Sequence, residues 1–103
     1  MNIVSVMYPE AEGKRFDLTY YMNKHMPMVA SHGQDLGLQS YHVERGVGAP
    51  GGGKAAYRVI AHLKVSSVQA FASGMEKHGR EIMGDIPNYT DIQPVIQFSE
   101  VVD

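Results

Sequence analysis

The chain has 103 residues, 44% of them apolar and 19% charged, with a net charge of −2. That length suits one domain (1–103) with a modest core, and without clustered Lys and Arg the charge argues against a nucleic-acid or anionic-membrane surface. The absence of cysteine excludes disulfides and thiolate chemistry; with no run able to span a bilayer and no basic leader region, a cytoplasmic location is expected.

Asn2 to Tyr8 is short, apolar and rich in β-branched residues, which predicts a strand ended by Pro9. A polar loop with Gly13 follows. Asp17 is placed to cap a helix, because its carboxylate accepts from the unpaired amides of a first turn. Phe16 and Tyr21 occupy the two positions of a hydrophobic staple across that cap. Leu18, Tyr21, His25, Met28 or Val29, and His32 then recur at helical spacing, which predicts a helix from Asp17 to about Ser31 with this face turned inward. Pro27 lacks an amide proton and its ring clashes with the carbonyl of Asn23, so a kink or break beside His25 is expected. Gly33 ends the helix, and Gln34 to Leu38 reads as a connection.

Gln39 to Arg45 and Tyr57 to Val65 alternate as strands. Tyr41 and Val43 share one face, as do Tyr57, Val59, Ala61 and Leu63. Superposing the apolar faces sets Val43 opposite Ala61, Tyr41 opposite Leu63 and His42 opposite His62. Between the strands, Gly46 to Gly53 carries five glycines and one proline. It lacks the Walker spacing and reads as a flexible hairpin tip. Ser66 and Gln69 suggest a capping box for a second helix. Val68, Phe71, Met75, His78 or Gly79, Ile82 and Ile86 form its buried stripe, and Gly79 is the expected point of close approach to the sheet. Pro87 ends it, Asn88 to Gln93 is a turn, and Pro94 to Val102 is the last strand. The order β-α-β-β-α-β is the split βαβ motif, which predicts a ferredoxin-like α+β domain with a four-stranded antiparallel sheet. Both helices cover one sheet face. The other face mixes Ile60 with His42, His62, Arg58 and Glu44, and no third layer exists to cover it, so a homodimer through the sheet face is expected.

Two segments carry a resemblance. Phe16-Asp17-x-x-Tyr20-Tyr21-x-x-x-His25-x-Pro27-Met28 resembles the signature of the EthD family, named for a protein linked to ethyl tert-butyl ether degradation. Asp85-Ile86-Pro87-Asn88-Tyr89-Thr90, continuing through Gln93 to Val101, is similar to that family's carboxy-terminal pattern. Together they bracket almost the whole chain. The resemblance implies a dimeric α+β barrel and leaves the reaction open.

His25 is the first candidate for chemistry, as a general acid or base or a donor to a ligand oxygen. The competing reading is a core histidine bonded to a carbonyl freed by Pro27. The helix alone favours that reading, whereas the motif favours the functional one. Tyr21, one turn earlier, is placed to orient the ring or the ligand, although the staple already accounts for it. Tyr20 turns aside, toward an edge or interface. Met22 and Met28 are expected to shape a cavity with the strand residues. His42 and His62 with Glu44 have the makings of two imidazoles and a carboxylate around a metal, but polar interface contacts are the preferred reading. His32 and His78 read as half-exposed helix residues, and Asn88 and Thr90 as turn formers.

No nucleophile constellation and no dinucleotide or Walker fingerprint is present. The leading function is binding of a small apolar or aromatic oxygenated molecule between helices and sheet, with acid–base catalysis and no cofactor; similarity to other proteins with such barrels implies a monooxygenase, dehydratase, cyclase or isomerase type. Two alternatives stand beside it. One is a non-catalytic ligand-binding or accessory protein of a degradation pathway; the other is a purely structural dimer.

Overall fold

The computed structural model describes residues 1–103. Four strands, β1 (Asn2–Pro9), β2 (Leu38–Arg45), β3 (Tyr57–Val65) and β4 (Val95–Glu100), form one antiparallel sheet in the order β2-β3-β1-β4. Helix α1 is composite, α-helical at Leu18–Tyr20, π-helical at Tyr21–His25 and α-helical at Met26–Ser31. A short α2 (Gly33–Leu36) and the long α3 (Val68–Gly84) complete the helical layer. The architecture is the ferredoxin-like α+β fold that the element order predicts, the protomer type of dimeric α+β barrels. No helix is long and apolar enough to cross a membrane.

The β2–β3 register has Tyr41 opposite Leu63, His42 opposite His62 and Val43 opposite Ala61. Matching apolar faces produces that register, because a one-residue slip would turn Ala61 and Leu63 toward solvent. The core lies between the sheet and the helices. Val4 and Tyr8 of β1, and Val59, Ala61, Leu63 and Val65 of β3, meet Tyr21, Met26 and Val29 of α1 and Phe71 and Ile82 of α3. On the other face, Ile3 and Met7 of β1, Ile60 of β3 and Val95 of β4 lie among His42, Glu44, His62, Gln97 and Ser99, with no layer over them. Arg58, on the same face, turns aside to pair with Glu10.

Several local expectations need correction. The proposed connection after Gly33 is α2, and its end is set by Gly37 at φ 67°, a left-handed conformation that favours glycine. Helix α3 is capped by Ser67, whose side chain accepts from the Ala70 amide at 3.0 Å, so Ser66 and Gln69 form no capping box. Gly79 touches only Met75 of its own helix. The glycine that permits close packing is Gly74, where a Cβ would lie 2.5 Å from the Asp35 carbonyl oxygen. The contact is between α3 and α2 rather than with the sheet. The last strand is shorter than expected, beginning at Val95 and ending at Glu100.

Candidate active site

The site is built on the irregular middle of α1. Asp17 caps the helix, its Oδ1 accepting from the Tyr20 amide at 3.0 Å, and the Phe16 and Tyr21 rings meet at 5.2 Å to close the staple. The strain expected from Pro27 is relieved upstream. The chain winds one wider turn, in which the Met26 amide donates to the Tyr21 carbonyl, five residues back. The helix therefore continues where a break was expected, through a π-turn. The wide turn places Tyr21, His25 and Met26 all in the core, an arrangement that α-helical spacing would deny to Met26.

His25 is 5% exposed and its Nδ1–H donates to Asp85 Oδ2 at 2.9 Å. Asp85 lies at the C-terminal end of α3, sixty residues away along the chain. Its Oδ1 also accepts from the Tyr20 hydroxyl at 2.7 Å and from Asn88 Nδ2 at 2.9 Å. Burial raises the Asp85 pKa, but the bonds from Tyr20, Asn88 and His25 outweigh it and hold the carboxyl below its ordinary value. For His25 the balance runs the other way. Burial lowers its pKa, and Asp85 recovers only part of the shift. The pair therefore consists of a carboxylate and a neutral imidazole at pH 7. Nδ1 carries the proton toward Asp85, which leaves Nε2 as the basic lone pair.

Nε2 lies 3.5 Å from the Tyr89 hydroxyl, which shares a 2.6 Å bond with the Tyr8 hydroxyl. The Tyr21 ring stacks on His25 at 5.3 Å and 15°, and Tyr89 leans on it at 4.7 Å. Burial raises the phenols of Tyr8, Tyr21 and Tyr89 well above their ordinary value. They remain protonated near neutral pH, serving as donors and not as bases. Beside His25 is an apolar cavity of about 50 Å³, whose lining includes Tyr8, Met26, Phe71, Met75, Met83 and Ile96. That volume admits one or two waters and is well below the roughly 300 Å³ at which ligand pockets begin. Met83 and Ile96 are 40% and 42% exposed, so the lining reaches the surface between α3 and β4.

His25 and Tyr21 are thus brought together, by stacking and without a hydrogen bond between them. Met22 is exposed, and Met28 faces a polar surface cleft with Lys24, Arg80 and Glu81; the cavity methionines are Met26, Met75 and Met83. Tyr20, expected at an edge or interface, instead reaches back to Asp85. Asp85, Tyr89 and Tyr8 were not singled out from the sequence, although the first two stand in the carboxy-terminal segment that carried the resemblance. Asn88 does more than form a turn, since it supports the carboxylate. Thr90 holds the turn as expected, accepting from the Ile92 amide at 3.0 Å and donating to the Arg15 carbonyl at 2.7 Å.

No family model matches the chain, and no curated protein matches it. Among solved structures, it is similar to an EthD-like protein from Ralstonia eutropha JMP134, at 44% identity and a TM-score of 0.91 over 99% of this chain and 92% of that one. It also matches an ethyl tert-butyl ether degradation (EthD) family protein from Bacillus halodurans C-125, at 18% identity and a TM-score of 0.68 over 99% of both chains. A protein from Arabidopsis thaliana shares the fold at 10% identity and a TM-score of 0.72, over 100% of this chain and 97% of that one. Identity of 44% over nearly the full length of both chains settles the family: the chain belongs to the EthD-like family.

Proposed function

We propose that the protein binds a small apolar or aromatic, oxygen-bearing organic molecule beside His25 and moves a proton on it without a cofactor. One observation carries this reading: a buried imidazole is held by a carboxylate through Nδ1, with His25 itself in the wall of an apolar cavity. In this reading His25 Nε2 takes a proton from an acidic C–H or O–H of the substrate, and Asp85 stabilises the imidazolium that forms. Tyr8, whose side chain lines the cavity, would exchange its bond with Tyr89 for one donated to a developing oxyanion. Tyr21 and Asp85 act as positioning residues, by stacking on the ring and by fixing its tautomer. The cavity must widen to admit such a molecule, and the unbranched side chains of Met26, Met75 and Met83 supply the freedom to do so.

The test is a thermal-shift screen of phenols, quinones, lactones and ethers on wild type and His25→Gln, followed by pH–rate profiles for each hit. The expected outcome is a ligand that stabilises wild type, is weakened by the substitution, and turns over with an acid limb centred below pH 6.5, the ordinary histidine value. Binding in both proteins with no pH-dependent turnover would instead identify a non-catalytic accessory protein. The small cavity favours a third reading, in which Tyr21, His25 and the methionines simply fill the core. No ligand response, with a large stability loss in His25→Gln, would establish it.

Dimerisation through the open sheet face belongs to the same proposal. Ile3, Met7, Ile60 and Val95 form an apolar group there that a second copy would cover. A dimeric mass in solution that becomes monomeric in Ile60→Glu is the expected result.

A further inference from the structure

Outside the His25 site, two groupings bring a pair of imidazoles together with carboxylates. One comprises His32, His78 and Glu81, and the other His42, Glu44 and His62. In each, the three candidate donor atoms lie within 4.8 Å of one another. They differ in whether those atoms converge. His32 and His78 stack face to face at 3.9 Å and 13°, and their Nε2 atoms reach different carboxylates, Glu81 at 2.9 Å and Asp35 at 2.8 Å. Two parallel rings serving two separate acceptors do not define one centre.

The second grouping does converge. His42 and Glu44 stand two residues apart on β2, so both side chains leave the same sheet face, and His62 is the direct cross-strand partner of His42 on β3. His42 Nε2 meets Glu44 Oε2 at 3.0 Å, and His62 Nε2 meets Glu44 Oε1 at 3.1 Å. The rings are tilted by 32° at 4.8 Å, so they do not block each other as stacked rings would. Behind His62, its Nδ1 lies 3.4 Å from Oγ of the buried Ser5. That contact holds the ring with Nε2 facing the carboxylate, the supporting role that outer partners play at metal centres.

We propose that His42, Glu44 and His62 form a binding site for a divalent first-row transition ion of the zinc class. Two imidazoles and one carboxylate are a recognised ligand set for zinc and its neighbours. Ligand atoms around a tetrahedral zinc lie about 3.4 Å apart, given bonds of roughly 2.1 Å. The N···O separations of 3.0 and 3.1 Å run to the two different oxygens of Glu44, so the carboxylate would meet the ion through both, each separation opening by a few tenths of an ångström. Binding requires each ring proton to move from Nε2 to Nδ1, where for His62 it finds Ser5 Oγ, and the ion takes the space the two Nε2 protons leave. In the single chain solvent fills the remaining position, because the His42, Glu44 and His62 side chains are 65%, 53% and 29% exposed there. All three ligands come from one chain, so the site needs no residue of a second copy, although it lies on the face that copy would cover, and it stands apart from the chemistry at His25.

The test uses tag-free, chelator-treated protein. Cobalt(II) is titrated with visible absorption as the readout, and zinc(II) is followed by calorimetry. The expected result is one equivalent per chain, lost in His62→Gln and weakened at least about ten-fold in His42→Gln and Glu44→Gln. Binding should be unchanged in His78→Gln. His42 and Glu44 are exposed on an edge strand, so those variants carry the test even if His62→Gln fails to fold. No saturable binding at millimolar metal, or binding that survives His42→Gln and disappears with His78→Gln, overturns the proposal.

Discussion

Two regions of this molecule use the same ingredients to different ends. At His25 an imidazole meets Asp85 with side chains 6% and 16% exposed; on the open sheet face, His42 and His62 meet Glu44 with most of that group in water. In the core, burial decides the protonation state: His25 is driven toward neutrality despite its carboxylate partner. At the surface, Glu44 is held low by its two histidines, with little opposition from burial. Pairing alone does not identify chemistry. In the proposed reading the buried pair exchanges a proton, whereas the exposed trio takes up an ion.

The largest expected effect that separates the two is on stability. Asp85→Ala removes the acceptor of Tyr20, His25 and Asn88 and leaves a buried ring N–H without a partner. A loss of about 2–3 kcal/mol is expected in urea unfolding, since unmet buried polar groups cost that order of energy. A loss near zero would mean that the dyad is not held as described. A smaller effect is expected with pH. The folded pKa of His25 lies below its ordinary 6.5, so between those two values the unfolded chain binds more protons than the folded one. Stability should therefore fall as pH drops through that window. The contribution is read as the difference between wild type and His25→Gln. An identical pH slope in the two proteins would remove His25 from the account. Smallest of all is Glu44→Gln, expected to lie within about 0.5 kcal/mol of its parent in metal-free buffer when both carry Ile60→Glu and are monomeric, as exposed pairs are screened by solvent. A larger loss would mean that the trio is held more firmly than an exposed pair.

The sheet was legible because alternation constrains register: Tyr41, Val43, Ala61 and Leu63 share the core side in the observed pairing, and any one-residue slip would separate them. His25 was legible as an inward ionisable ring beside Pro27. Its partner was not, because nothing local links residue 25 to residue 85, and the contact exists only once α1 and α3 lie side by side. The π-turn was half legible: Pro27 announces a disturbance, but whether a helix breaks or widens depends on what the core rewards, here the burial of Met26. The choice between Gly74 and Gly79 was beyond the sequence, because only the approach of α2 distinguishes them.

The packing at Gly74 has a bearing on how anything enters the molecule. With Asp35 and Leu36 pressed against that glycine, and Gly37 set against Ser66 and Ala70, the first half of α3 is pinned. The other half carries Ile82 and Met83 of the cavity wall and runs directly into Asp85. That half is tied as well, by His78 to Asp35, by Glu81 to His32 and by Asp85 to His25 and Tyr20. In the proposed reading, a shift of this half that widened the cavity would also draw Asp85 away from His25. Only guests admitted without that shift would meet the paired imidazole, so the helix would act as a size filter on what can react.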